Sequence, residues 1–271
     1  MSIAKLFIEG KLEAEVLNPI LQGSPALLRG GSKNALRPRA LTERRENKVS
    51  AGYLRDRDFD FDPPLHMECP TIDSYDSGVP FGWRWSRHEF ENYLIEPAIV
   101  NEAMGWSTDG FKEVICQTAG KKRFYEASRW AVGVVRRALP PHYELMTRPE
   151  GLNDIELPPS LDSAAVNAWA SENIKNHREP IVARTDSAAV KMSLDAFASR
   201  FNDVFVADAA NVLVWFSGKD LLAGMADWLL AKGIASPGAF RASLRDWIIA
   251  NPRRAIELLP EWNGLIGVLR A

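Results

Sequence analysis

The sequence contains little cysteine, almost no net charge and no long hydrophobic run. Its 271 residues include two cysteines, Cys69 and Cys116, whose spacing fits neither a metal clamp nor a redox pair. The 33 Lys and Arg residues nearly balance the 35 Asp and Glu residues, so net charge provides no global attraction toward nucleic acid. Because no stretch of about 18 apolar residues is present, a membrane-spanning helix is not expected. We therefore expect a globular, cytoplasmic protein with reduced cysteines and no membrane association.

The first hundred residues alternate short apolar runs with helical patterns. The apolar runs lie at 6–8, 26–28 and 50–54, and helices are predicted over about 11–22 and 33–48. Strands separated by helices of this length form parallel βαβ units. We therefore predict an α/β fold in which helices flank a parallel sheet.

Proline and the change of pattern divide the rest of the chain. The prolines between residues 61 and 82 predict a loop, and 82–85 is a further strand candidate. We predict a catalytic α/β domain at 1–140, a linker-like segment at 141–160 and a helical C-terminal region at 161–271 that packs on the α/β core. Within that last region, Val212–Phe216 is predicted to be a buried strand.

Four acids alternate directly after the third apolar run, at Asp56, Asp58, Asp60 and Asp62. On an extended chain, alternate side chains face the same side, so Asp56 and Asp58 would bring like charges together. Such crowding is costly unless a cation neutralises it, and hard divalent ions such as Mg²⁺ prefer carboxylate oxygens. Glu9 stands at the end of another predicted strand. Because ligands collect beyond the carboxyl ends of parallel strands, Glu9 and Asp56 are expected to converge.

Other interpretations of the acidic run differ in how well they fit. An EF-hand requires Gly and Glu where the chain has Phe61 and Met67, which excludes it. A haloacid-dehalogenase-type phosphatase requires Thr or Val in place of Asp60. A glycosyltransferase that binds Mn²⁺ through an Asp-x-Asp pair remains open, as does a solvated acidic turn with no function.

Four segments in order resemble the motifs of TOPRIM domains. They are a strand ending in Glu-Gly, a glycine turn, an Asp-x-Asp motif and a fourth signature, at residues 7–13 (FIEGKLE), 28–33 (LRGGSK), 54–59 (LRDRDF) and 87–94 (RHEFENYL). The fourth is typical of TOPRIM nucleases related to the OLD family, which includes the nuclease subunits of PARIS anti-phage systems. The resemblance covers about residues 3–140, and a weaker similarity at 216–222 (FSGKDLL) extends it.

The resemblance implies a metal-dependent phosphodiesterase site. In it, Glu9, Asp56 and Asp58 would hold the principal Mg²⁺, while Glu13 and Glu91 would help to bind a second ion; Mn²⁺ is an alternative metal. Two such ions can stabilise the attacking and the leaving oxygens of a displacement at phosphorus. The match of residues 91–94 favours Glu91 over Glu89, and on one helix these two side chains would face different directions.

Cleavage of a phosphodiester also needs cationic groups near the developing negative charge. Lys33 follows a Gly-Gly turn and opens a predicted helix, and Lys219 would reach the scissile phosphate if the C-terminal half folds back. Both have an ordinary alternative as solvated lysines. Lys121, Lys122 and Arg123 form a basic group beside aromatic residues and are candidates for binding nucleic acid, with a solvated surface as the alternative.

The resemblance also implies partners. The expected substrate is RNA, possibly tRNA, or DNA, and the chain would be the toxic effector of a bacterial anti-phage system. Gly218-Lys219 does not fit a P-loop, so we expect that this chain does not hydrolyse ATP by itself. The resemblance to PARIS systems implies that a separate ATPase subunit controls the nuclease in trans. Nucleases of this type often act as homodimers. The alternative from another class is a non-catalytic TOPRIM-like module that serves as a docking surface.

Overall fold

The computed structural model describes residues 2–139, 160 and 162–271, and its elements alternate as the sequence predicts in the first third. The strands are β1 (Lys5–Ile8), β2 (Ala26–Arg29), β3 (Ala51–Arg55), β4 (Thr71–Asp76) and β5 (Val79–Arg84). The helices are α1 (Lys11–Ile20), α2 (Lys33–Arg45), α3 (Glu91–Leu94), α4 (Pro97–Met104), α5 (Thr108–Ala138), α6 (Ser163–Thr185), α7 (Ser187–Arg200), α8 (Asp203–Val206), α9 (Ala209–Trp215), α10 (Gly218–Gly224), α11 (Ala226–Ala231), α12 (Pro237–Ala250), α13 (Pro252–Leu258) and α14 (Pro260–Arg270).

The five strands form one mixed sheet flanked by helices, in the order β2-β1-β3-β5-β4. All neighbouring pairs are parallel except β4 and β5. The central strands β1 and β3 are apolar and almost completely buried, as expected for strands covered on both faces. The predicted α/β class is therefore confirmed, while the sheet, predicted to be parallel, is parallel except for the β4–β5 pair. Since β1 and β3 are adjacent and parallel, Glu9 and Asp56 follow them at the same edge of the sheet.

The loop predicted over residues 61–82 is wrong in part, because β4 and the start of β5 form an antiparallel hairpin there. Ser77 and Gly78 connect the two strands, and both have positive φ angles, 52° and 80°. Two successive residues with positive φ are typical of the tight turns that join antiparallel strands. The prolines suggested a loop, but Pro80 is accommodated as the second residue of β5.

The strand predicted at Val212–Phe216 is also wrong, since these residues lie in and directly after helix α9. The Asp208 side chain accepts a hydrogen bond from the Ala210 amide at 2.9 Å and so caps the helix. Three consecutive residues, Val212 to Val214, are buried. A short apolar run of this kind does not show the helical period, and so its sequence cannot distinguish a buried helix from a buried strand.

The described chain forms two compact units, and their boundaries differ from those of the predicted domains. One unit comprises the residues up to Glu126 together with Phe201–Ala271, and the other comprises Ala127–Arg200. In the first unit, α12 packs against α1 and α4, and the Ile3 amide donates a hydrogen bond to the Leu269 carbonyl at 2.9 Å. The predicted linker at 141–160 lies almost entirely outside the described residues. Among the described helices, none combines the length and the hydropathy that crossing a membrane would require.

Candidate metal centre

Two acids follow neighbouring parallel strands and meet at the carboxyl edge of the sheet. Glu9 comes directly after β1 and Asp56 directly after β3. The Asp56 amide donates a hydrogen bond to Glu9 Oε1 at 3.1 Å, which joins the ends of the two strands. The convergence expected from the sequence is therefore present in the structure, although 47 residues separate the two acids.

Glu13 belongs to the same group, one helical turn after Glu9. The Glu9 amide donates to Glu13 Oε2 at 3.1 Å, and Trp85 Nε1 donates to Glu13 Oε1 at 2.9 Å. Glu13 is 5% exposed, and this burial, together with the negative charge of Glu9, raises its pKa to about 8. With such a pKa the Glu13 carboxyl group is mostly protonated at neutral pH, and a nearby positive charge would favour its ionised form.

Asp56 is the member of the group whose polar atoms are least satisfied. Its Oδ1 atom is buried and has no hydrogen-bond partner among the described residues. Burial raises the pKa of Asp56 well above its ordinary value, and the charges of Glu13, Asp58 and Glu9 raise it further. Burial and the Asp58 charge likewise raise the pKa of Glu9. Burial and mutual repulsion thus favour the protonated forms of Glu9, Glu13 and Asp56.

Asp58 reaches this group through a turn and not along an extended strand, as the alternation of acids had suggested. Its φ angle is +47°, in the left-handed region that Asp tolerates better than most residues, and its amide donates to the His88 carbonyl at 2.8 Å. Asp58 Oδ2 accepts from Lys33 Nζ at 2.6 Å, and the same ammonium group pairs with Asp60. Burial alone would lower the pKa of Lys33, but the charges of Asp58 and Asp60 raise it.

Lys219 comes from the C-terminal part of the chain and lies beside Glu89 and Glu91. Its Nζ is 3.3 Å from Glu89 Oε1 and 3.4 Å from Glu91 Oε2. Burial alone would lower the pKa of Lys219, but the charges of Glu89, Glu91 and Asp56 raise it. The structure therefore brings Lys219 to the carboxylates, the condition that the sequence had left open.

Glu89 has a larger role than the sequence suggested. It lies before α3, so the expectation that Glu89 and Glu91 face different directions on one helix is wrong. Glu89 Oε2 accepts from Ser217 Oγ at 2.9 Å and from the Lys219 amide at 3.1 Å, which fixes the start of α10. Asp58, His88 and Glu89 each place one ligand atom within 4.8 Å of the others, a spacing that suits a metal ion.

Arg241 is a site residue that the sequence analysis missed. Its Nη1 lies 3.3 Å from Glu91 Oε1, so Glu91 contacts two cations, Arg241 and Lys219. The residue lies in α12, 150 positions after Glu91, and no local motif marks it. Only the packing of α12 against α1 and α3, which brings the end of the chain to the sheet, could have identified it.

The basic group on α5 is placed differently from the other predicted site residues. Lys121 is exposed, while Lys122 and Arg123 are partly buried. Arg123 forms an ion pair with Asp203, and the aliphatic part of Lys122 packs near Gly224. In the described parts of the chain, no hydrogen bond or ion pair joins these three residues to the acids of the candidate metal centre. Their binding of nucleic acid stays a prediction.

Two sets of donors come together at this edge of the sheet. In the described residues, Asp58, His88 and Glu89 form the group whose ligand atoms lie within 4.8 Å of one another, while Glu9 and Asp56 add buried carboxyl groups beside Asp58. Asp56 Oδ1 has no hydrogen-bond partner among these residues, and carboxylate oxygens are the ligands that hard divalent cations prefer. Glu13 and Glu91 lie at the margins, where Trp85 and the two cations already contact them. A bound divalent ion would lower the pKa values that the crowding raises.

No protein-family model matches this chain, and no curated protein matches it. The interpretation of the site therefore depends on its residues, their geometry and the resemblance of its motifs.

Proposed function

We propose that this protein is a TOPRIM-type endonuclease that hydrolyses phosphodiester bonds of RNA or DNA with the help of Mg²⁺ or Mn²⁺. One observation carries the proposal: the buried, unpartnered Asp56 Oδ1 stands among Glu9, Glu13 and Asp58 at the carboxyl ends of two adjacent parallel strands. A fold tolerates an uncompensated buried carboxylate when function requires it, because burying a charge without a partner is destabilising.

The residues of the site divide into two groups with different roles. Glu9, Asp56 and Asp58 would hold the principal ion, and Glu13 and Glu91 would contribute to a second. Such an ion supplies an activated water and charge stabilisation at phosphorus.

Two lysines supply further positive charge. Lys33 and Lys219 each contact carboxylates of the site and would be placed to pair with the phosphate oxygens, where cations stabilise the developing negative charge.

We extend the proposal to the biological setting on the strength of the motif resemblance alone. The chain would be the toxic effector of an anti-phage system, restrained by a separate ATPase subunit until infection. Co-expression with the protein encoded beside it tests this part. Restraint predicts that the pair is tolerated in uninfected cells and that phage infection releases nucleic-acid cleavage, whereas unchanged cleavage with and without that protein would contradict it.

A cleavage assay tests the catalytic proposal. Purified protein is incubated with total RNA, with tRNA and with plasmid and linear DNA, in Mg²⁺, in Mn²⁺ and with EDTA. Because even residues that merely support metal ligands contribute about 10- to 100-fold, Glu9→Gln and Asp56→Asn should each reduce cleavage by at least about 100-fold. The substrate that is cut distinguishes an RNase from a DNase.

Asp62→Asn is the matched control, since Asp62 belongs to the same acidic run but is exposed. It should cleave as the wild type does. Equal loss in the control would show that the run acts through net charge and not through a metal centre. Absence of cleavage both alone and with the neighbouring protein would favour the non-catalytic docking module. Binding of nucleotide sugars without cleavage would favour the glycosyltransferase.

A further inference from the structure

Helices α1 and α12 enclose a basic cleft of about 340 Å³. Its charged lining consists of Lys11 and Glu15 from α1 and Arg241 and Arg245 from α12, and Leu12 and Ala242 add apolar surface. Three cations and one acid line the cleft, in a molecule whose overall charge is −2, and two further acids, Glu91 and Asp246, pair with Arg241 and Arg245 from outside this lining. A concave surface with charge of one sign concentrates ligands of the opposite sign.

The cleft lies directly beside the carboxylates. Arg241 lines it and also contacts Glu91, with Nη1 3.3 Å from Oε1. Lys11 follows Glu9 by two residues, so their Cα atoms are at most about 7 Å apart. An anionic chain that lies in the cleft would therefore continue toward the metal centre, with no further element needed to guide it.

Each cation of the cleft has an acidic partner. Glu15 pairs with two of them, since Lys11 Nζ lies 3.3 Å from Oε1 and Arg245 Nη1 lies 3.3 Å from Oε2. Arg245 also pairs with Asp246, with Nη2 2.7 Å from Oδ1. The Lys11 side chain is 75% exposed and that of Arg245 is 31% exposed. Because an exposed ion pair contributes little, Lys11 can exchange Glu15 for a phosphate at small cost.

From this arrangement we infer that the cleft between α1 and α12 binds the sugar-phosphate backbone of the nucleic acid beside the bond that is cut. The inference rests on the proposed nuclease function and adds a substrate path that the motifs did not indicate. The cleft is a surface other than the candidate group Lys121, Lys122 and Arg123 on α5. Because backbone phosphates are common to RNA and DNA, the cleft alone does not distinguish them.

Binding without cleavage tests the inference. Fluorescein-labelled single-stranded RNA and DNA oligonucleotides of mixed sequence are titrated in EDTA at several salt concentrations. The Lys11→Glu, Arg245→Glu double variant should bind more than about tenfold more weakly than the wild type. Its negative slope of log K against log salt should become shallower by about 1.4, or about 0.7 for each lost phosphate contact. Comparing the RNA and DNA arms shows which polymer the cleft prefers.

Lys175→Glu with Arg178→Glu is the matched control, because it makes the same charge change on helix α6 at exposed positions that also neighbour glutamates. It should retain wild-type affinity. Lys11→Gln, at a strongly exposed position, removes one contact without risk to the fold and should lower the slope by about 0.7.

Three results would overturn the inference: no binding by the wild type, unchanged affinity and slope in both Lys11 variants, or an equal loss in the control. Since binding is measured in EDTA, failure of cleavage leaves this result intact. A protein that binds through the cleft and cuts nothing would refute the nuclease and retain the cleft.

Discussion

Two acids of the same sheet, Asp73 on β4 and Asp56 after β3, have opposite surroundings. Asp73 Oδ1 accepts from Arg55 at 2.9 Å and from Arg84 at 3.2 Å, and its Oδ2 accepts from Tyr53. Burial alone would raise the pKa of Asp73, but the Tyr53 hydrogen bond and the Arg55 charge lower it. Asp56 has a buried oxygen without a described partner, and burial and neighbouring acids raise its pKa.

The surroundings of an acid distinguish one that serves the fold from one that serves a site. The surroundings of Asp73 supply the hydrogen-bond donors and charges that its carboxylate needs, so its negative charge stabilises the fold. Those of Asp56 supply mainly further acids, and the charge of Lys219 offsets them only in part. A pKa that neighbouring acids raise, as at Asp56, therefore marks the site, whereas the number of acids alone does not.

The largest expected difference between the two acids is their response to metal. If Mg²⁺ binds at Asp56, the folded state gains RT ln(1 + [L]/Kd), about 2.7 kcal/mol at a concentration one hundred times Kd. Asp56→Asn should lose this gain, whereas Asp73→Asn should keep it. Thermal unfolding with Mg²⁺ and with EDTA measures both. A gain that survives in Asp56→Asn, or that Asp73→Asn removes equally, would contradict the comparison.

Without metal, the same two substitutions should change stability in opposite directions. Asp73→Asn breaks charge-assisted hydrogen bonds, which are worth about 1.5–3 kcal/mol each. Asp56→Asn removes a crowded buried acid and should raise the unfolding midpoint by about 2–4 °C for each kcal/mol gained. Chemical denaturation in EDTA at neutral pH provides the two free energies of unfolding. If both variants are destabilised, Asp56 serves the fold as Asp73 does.

The pH dependence of stability gives a further, characteristic effect. The pKa of Glu13 is about 8 in the folded chain, against an ordinary value of 4.5, so the folded state holds its proton more tightly than the unfolded state does. The stabilisation is complete below about pH 4.5 and is lost as the pH rises through 8. In EDTA, the unfolding midpoint should therefore fall over this interval. Mg²⁺ should oppose the fall, because metal binds the deprotonated carboxylates.

Glu13→Gln is the control for this effect, since it retains the acceptor for Trp85 and removes the titrating group. Its unfolding midpoint should depend less on pH than that of the wild type. A wild-type midpoint that stays constant across the interval, or a full dependence in Glu13→Gln, would contradict the raised pKa.

The sequence predicted the parts of the site that depend on local order. Glu9 and Asp56 follow apolar strands, and parallel pairing of such strands dictates that their ends meet. It could not predict Arg241 or the position of Glu89 before α3, because these depend on how helices of the C-terminal region pack on the sheet. The hairpin of β4 was missed since Ser77-Gly78 gives a weaker turn signal than the surrounding prolines. Helix α9 was missed because its buried residues 212–214 are consecutive and show no helical period.

The smallest expected effect concerns a second Arg–Asp pair, which differs from that of Arg55 and Asp73 by its exposure. Arg123 pairs with Asp203, whose side chain is 91% exposed, whereas the Asp73 side chain is 6% exposed. Exposed pairs contribute about 0.2–1 kcal/mol, so Arg123→Ala should change the free energy of unfolding by less than about 1 kcal/mol. Arg55→Ala should lower the free energy of unfolding by more than Arg123→Ala does, because it leaves the buried Asp73 with Arg84 as its one remaining cation.

The Arg123→Ala variant also tests the α5 group as a nucleic-acid surface. If the cleft between α1 and α12 holds the substrate, its affinity for the labelled oligonucleotides should change less than that of Lys11→Gln, although each variant removes one positive charge. An equal or larger loss in Arg123→Ala, with stability unchanged, would place a nucleic-acid contact on α5. Because both residues are then compared at equal charge, the remaining difference in affinity reports their position relative to the substrate.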